Sequence, residues 1–335
     1  MRPVRTASKT LALIGNVTMT LPWKSAVLLL PLALAAPTPA SAVESADPIK
    51  LAVNEWTGQH VTTYLAGEAL KRLGYKVEYV TAGYLPQIQG VMDGDITATL
   101  EIWEHTIQDN FAKAINSGKG EDLGDLGIKT IEGWIYPDYM EKECPGLPDY
   151  KALNDCADKF ASAETYPQGR MLDYPADWGP DNDKRVAALG LNYKLVSPGS
   201  DGAEVAEYKA AVAAKKPILM MFYSPHWIFA AEHPKWVKLP ESTPECYTDP
   251  KVGPNPEATH DCGWPTGWVK KLGWVGMKDK WPAAYKFLKS FSITTDAQNE
   301  IALKVDQDQV PVEKAVNAWL DAHPQEMASW KQAAN

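Results

Sequence analysis

Basic residues are scarce in this chain: 33 Lys and Arg face 42 Asp and Glu over 335 residues, a formal net charge of −9. Nucleic-acid binding requires a concentrated basic surface, so this balance excludes a nucleic-acid partner. Beyond the amino-terminal segment the sequence also lacks any hydrophobic run of membrane-spanning length, which leaves no second anchor. Neither a G-x-S-x-G elbow nor an H-E-x-x-H helix occurs, which removes two common signatures of exported hydrolases. His60, His105, His226, His233, His260 and His323 are scattered, without an obvious nucleophile partner. No C-x₂-C spacing supports a zinc site, and no internal repeat is visible.

What is present begins with an export signal. Arg2, Arg5, Lys9 and Lys24 precede an apolar run from Ala26 to Ala36, and Ala40-Ser41-Ala42 matches the A-x-A cleavage pattern. The run is short for a bilayer span, and Pro31 interrupts it. The basic stretch is long enough for translation to begin at Met19. No cysteine stands at the cleavage site, which argues against a lipid anchor. Residues 1–42 are therefore expected to be a cleaved signal peptide, leaving a soluble extracytoplasmic chain with 29 Lys and Arg against 42 Asp and Glu.

All four cysteines follow the signal, at Cys144, Cys156, Cys246 and Cys262. In an oxidising compartment they are expected to form disulfides, with three connectivities open. The local pairs Cys144–Cys156 and Cys246–Cys262 are favoured because each closes a short loop rich in Pro or Asp.

From Ile49 the pattern alternates strand and helix. Ile49–Val53 precedes an amphipathic stretch from Val61 to Leu73, stopped by Gly74. Lys76–Val80 and Ile96–Trp103 read as strands, with Leu85–Met92 and His105–Ser117 as helices. A second βα series starts near Thr130 and returns near residue 235. A loop rich in Pro, Gly and Cys then leads into a tail read as helical from Trp268 to Gln332. The expected fold is α/β, with mostly parallel sheets in two lobes: 43–131, 132–235, and a return to the first lobe over 236–335.

Five tryptophans lie after or near the ends of these strand segments: Trp56, Trp103, Trp134, Trp178 and Trp227. Ligands of open α/β sheets bind beyond the carboxyl ends of the strands. Indole faces converging there would form a cage for an alkylated ammonium through cation–π attraction.

These segments resemble the glycine betaine/choline/trimethylamine N-oxide family of ABC-importer substrate-binding proteins. The likeness is carried by Asn54-Glu-Trp-Thr-Gly-Gln, Leu100-Glu-Ile-Trp-Glu, Tyr223-Ser-Pro-His-Trp and Ala283-Ala-Tyr-Lys-Phe-Leu, and covers essentially the whole mature chain. It implies a bilobal type II periplasmic binding fold with no enzymatic activity. It also implies a methylated amine boxed by tryptophans from both lobes, and delivery by a periplasmic monomer to permease subunits in the inner membrane. The insertion between Cys246 and Cys262 looks like that of the trimethylamine N-oxide binders, which carry calcium near such a loop. The N-oxide is therefore the first expected ligand, with choline or glycine betaine as alternatives. An exported hydrolase using acidic residues in the interlobe cleft, such as those of Asp177-Trp-Gly-Pro-Asp, is the alternative of a different class.

A cage accounts for the methyl groups but not for what hangs from the nitrogen. Glu55, Glu101, Glu104 and Glu132 flank the tryptophans, and Glu132 shares a strand face with Trp134. Glu132 is the expected polar anchor, because a carboxylate there attracts cations and repels betaine's carboxylate. His60, Tyr136 and His226 are further candidate donors. In the cysteine-closed loop, Asp249, Asn255, Glu257, Thr259 and Asp261 supply hard oxygens that suit a structural Ca²⁺, against the plainer reading of polar turn chemistry.

Overall fold

The computed structural model describes residues 44–176, 178 and 181–334, so the expected signal segment, 1–42, lies outside the described residues. Among the described residues no helix is long and apolar enough to cross a membrane.

Local sequence explains the first elements. The apolar run of β1 (Ile49–Val53) is almost wholly buried, and helix Thr57–Arg72 follows. Gly74 adopts φ +98° just beyond that helix, a conformation glycine enters without a Cβ penalty. β2 (Val77–Thr81) then pairs parallel to β1. Helix Pro86–Asp93 opens on Pro, whose fixed φ suits a first turn, and stops at Gly94 with φ +80°. β3 (Ala98–Trp103) is buried along its whole length and runs into helix Glu104–Asn116.

The remaining strands are β4 (Gly120–Asp125), β5 (Ile131–Tyr136), the short β6 (Pro145–Pro148), β7 (Gly169–Leu172), β8 (Tyr193–Val196), β9 (Met220–Ser224), β10 (Lys235–Trp236) and β11 (Val269–Trp274). Two five-stranded sheets result, in the orders β2-β1-β3-β11-β4 and β10-β5-β9-β7-β8. Each is the centre of one α/β lobe. Helices Thr57–Arg72, Thr295–Asp306 and Val312–Ala322 pack together in the first lobe.

Two expectations are corrected here. The sheets are mixed rather than mostly parallel: β11 runs antiparallel to both β3 and β4, and β5 runs antiparallel to both β9 and β10. These are strands beside the crossings between lobes, where the chain enters a sheet from the opposite end. The tail is also not helical from its start, since Val269–Trp274 is a strand inserted between β3 and β4. Pairing on both edges satisfies its backbone and outweighs the weak helical spacing of its side chains. Both local disulfides, Cys144–Cys156 and Cys246–Cys262, are formed, and no cysteine is free.

Candidate functional site

The carboxyl ends of the strands bring an aromatic cluster together around a cavity of about 20 Å³. Trp56 is the extended residue between β1 and its helix, Trp103 ends β3, and Tyr84 sits in the turn after β2. From the second lobe come Glu132 on β5, Tyr223 on β9, and Tyr174 and Trp178 just beyond β7. Six of the seven lining side chains are aromatic, and the seventh is a carboxylate.

The rings meet edge to face, the arrangement their quadrupoles prefer. Trp56 lies 5.1 Å from Trp178 and 5.3 Å from Tyr84 between centroids, at interplanar angles of 67° and 85°. Trp103 meets Tyr223 at 5.3 Å and 77°. Thus Trp56 and Trp103 each meet a ring of the second lobe.

Hydrogen bonds fix the rings from behind. Glu101, on the Trp103 face of β3 and 1% exposed, accepts the indole N–H groups of Trp56 (2.8 Å) and Trp103 (3.1 Å) on Oε1. Its Oε2 accepts from the Thr62 hydroxyl (3.0 Å) and the Gln298 amide (3.1 Å). Burial pushes the Glu101 carboxyl above the ordinary carboxylate range, opposed by these four donors. The backbone N–H of Trp103 donates to the Tyr84 hydroxyl at 2.8 Å.

On the second-lobe side, Tyr174 donates its hydroxyl to Glu132 Oε1 at 3.1 Å, and Tyr223 donates to Asp201 Oδ1 at 2.9 Å. Asp201 is pushed up to about 7, mainly by burial. Glu204 lies in the same acidic surroundings: burial, then Asp201 and Asp173, hold it well above its usual range. Burial and these carboxyls raise both tyrosines far above a normal phenol. The wall is therefore acidic, and among the described residues no Lys or Arg lines the cavity.

Of the sequence-derived candidates, the cavity brings together Trp56, Trp103, Glu132 and Trp178. Trp134 and Trp227 are not among its lining residues. Trp134 stands two residues beyond Glu132 on β5, roughly 7 Å along a strand. There it is fully buried, donating to Asn182 Oδ1 at 2.8 Å and lying edge to face with Trp264 at 6.0 Å. Trp227 begins the turn into helix Ile228–Ala231, its ring 5.3 Å from that of His226 and 5.3 Å from Lys209 Nζ.

The further donor candidates also stand apart from the cavity lining. His60 bonds the Asn54 carbonyl at 2.7 Å, Tyr136 donates to Glu141 at 3.3 Å, and His226 Nδ1 accepts from the Ile228 N–H at 3.1 Å. Glu55 is exposed, while Glu104 accepts the Trp268 N–H at 3.1 Å. Tyr84, Tyr174 and Tyr223 were not singled out from sequence, although each follows or ends a strand segment as the tryptophans do.

The oxygen donors of the cysteine-closed loop serve its own backbone. Asp261, buried, accepts the Asn255 N–H at 2.5 Å, and Asn255 Oδ1 accepts the Glu257 N–H at 3.1 Å. Asn255 Nδ2 donates to the Ala188 carbonyl at 2.7 Å, and Asp249 Oδ1 accepts the Lys251 N–H at 2.9 Å. Among the described residues no three Asp, Glu, His or Cys side chains stand together as a metal-holding group. A second, larger groove of about 710 Å³ runs beside this loop, past Glu104, Arg185, Tyr247, His260 and Trp264.

Comparison with known proteins agrees with the fold. Residues 47–322 match the model of the substrate-binding domain of ABC-type glycine betaine transport systems. The chain is 30% identical over 289 residues to the trimethylamine N-oxide-binding protein of Pelagibacter ubique, covering 84% of this chain and 89% of that protein. Among solved structures, the glycine betaine/L-proline-binding protein of Borrelia burgdorferi superposes with a TM-score of 0.69 at 19% identity, covering 86% of this chain and 100% of the other. An ABC-transporter choline-binding protein in complex with choline gives 0.67 at 18% identity, covering 87% and 99%. With the family model spanning both sheets and the cavity between them, the chain belongs to the substrate-binding domains of ABC-type glycine betaine transport systems.

Proposed function

We propose that this protein captures trimethylamine N-oxide in the aromatic cavity between its lobes and delivers it to a membrane permease from the periplasm. The observation that carries the reading is the lining itself: six aromatic side chains, one carboxylate and, among the described residues, no basic group. Ring faces attract the methylated, electron-poor nitrogen. Glu132 then decides what else the ligand bears. An N-oxide that carries or shares a proton can hydrogen-bond the carboxylate, whereas betaine would set its own carboxylate against it. The likeness to a protein named for binding the N-oxide supports the same choice.

The cavity's size adds to the argument. The open space between the rings is small, about 20 Å³, which suits a small ligand. Because Trp56 and Trp103 belong to one lobe and Trp178 and Tyr223 to the other, opening about the crossings near residues 125–131 and 236–269 would part them. A small ligand needs the least parting.

Calorimetric titration with trimethylamine N-oxide, choline, glycine betaine and carnitine tests the assignment. The N-oxide should bind tightest, and betaine binding more tightly than the N-oxide would overturn it.

A further inference from the structure

We propose that Glu101 is the positioning residue that makes the cavity select positive charge: it fixes the Trp56 and Trp103 rings and holds a buried negative charge directly behind them. The inference rests on the amine-capture reading above and adds a residue that does not itself line the cavity.

Its bonding carries the argument. Both indole N–H groups converge on one oxygen of the same carboxylate, at 2.8 and 3.1 Å. An indole N–H and an amide N–H can only donate, so Trp56, Trp103 and Gln298 present three donor-only groups to the two oxygens. That constellation fits an ionised carboxylate, whose charge-assisted bonds are the stronger kind. It also assembles Glu101 from separate parts of the fold: Trp56 precedes helix Thr57–Arg72, Thr62 lies within that helix, and Gln298 comes from helix Thr295–Asp306.

All four of these partners are neutral, so the bonds disperse the charge without cancelling it. A buried carboxylate in this position is favoured by a cation nearby, and the cavity in front of the two rings is where a cationic ligand would sit. Hydrogen bonding to the anion also polarises each indole, making its face more negative.

Choline and 3,3-dimethylbutan-1-ol separate this role from simple scaffolding. They share shape and hydroxyl, but the quaternary nitrogen of one is a neutral carbon in the other. Titration of the full mature protein should give a preference for choline on the order of a hundredfold. Glu101→Gln should narrow that preference by about tenfold while moving the neutral alcohol by less than about threefold. Gln298→Leu, a milder change that withdraws one donor from the anion, should narrow it in the same direction by about threefold. Equal losses for both ligands in these variants would mean that Glu101 only supports the rings, and would overturn the proposal. A wild-type preference below about threefold would overturn it without any variant. If the wild type favours choline and Glu101→Gln leaves the ratio unchanged, only the role of Glu101 falls. If the wild type holds neither ligand, this inference falls, while the amine-capture reading stands or falls with the titration of trimethylamine N-oxide itself.

Discussion

Replacing Trp56 separates what a ring contributes to the ligand from what it contributes to the fold. Its side chain is 3% exposed, meets Trp178 at 5.1 Å and Tyr84 at 5.3 Å, and donates to Glu101 at 2.8 Å. Trp56→Ala removes a cation–π face worth about 2 kcal/mol in a desolvated site, or roughly thirtyfold in affinity. It also leaves a hole, costing about 3–5 kcal/mol of stability. Trp56→Phe keeps a ring but loses the N–H bond to the carboxylate, so it should cost less binding than Ala while still losing about 1.5–3 kcal/mol of stability. Trp134→Phe is the control. That ring is buried outside the cavity and donates to Asn182, so the change should lower the melting temperature and leave affinity within about twofold. Calorimetry and thermal melts on the same preparations read both effects. A folded Trp56→Ala protein with wild-type affinity, or a Trp134→Phe protein with a thirtyfold loss, would refute this division of roles.

Other expectations follow from the same geometry. Glu132→Gln should retain part of the N-oxide affinity because an amide can donate to the oxide, Glu132→Ala should lose most of it, and betaine binding should improve in both; titration of both ligands decides. Asp201 is held near 7 against an ordinary 3.8, so the native state keeps its proton longer than the unfolded chain. Stability should therefore fall as pH rises from about 4 to about 7, by up to about 4 kcal/mol, and level off above. Asp201→Asn keeps an acceptor for the Tyr223 hydroxyl and should flatten that slope, raising the melting temperature at pH 8 more than at pH 5. His226 acts in the opposite sense: burial lowers it to about 3, so stability is lost as pH falls below about 6.5, and His226→Asn should soften the acid limb of a pH-dependent melt. Replacing Cys246 and Cys262 together by Ala should cost about 3 kcal/mol in denaturant unfolding.

The sequence announced the first three strands clearly because their signals are local: apolar runs closed by Gly74 and Gly94, with helical spacing between. β4 and β11 were not legible. Gly120-Glu-Asp-Leu-Gly-Asp has little strand propensity of its own and is held by pairing with a segment about 150 residues later. That later segment, Val-Lys-Lys-Leu-Gly-Trp, earns its strand from two neighbours rather than from its residues.

In the site, placement beyond strand ends pointed to Trp56, Trp103 and Trp178. Following tryptophan alone left out Tyr84, Tyr174 and Tyr223, to which the same rule applies. The rule has limits of its own. It locates the end of a strand but not which turn or pleat a ring occupies, which is why Trp134 and Trp227 lie elsewhere. Glu101 was visible as a glutamate near the rings. Its bond to Gln298 joins residues 197 apart and could not be read from local pattern.

The most direct test is a crystal structure of the protein with trimethylamine N-oxide bound. The account predicts the methylated nitrogen among Trp56, Trp103 and Trp178, with the oxide oxygen within hydrogen-bonding distance of Glu132. Ligand found instead in the larger groove beside Arg185 and Trp264, with the aromatic cavity unchanged, would contradict it.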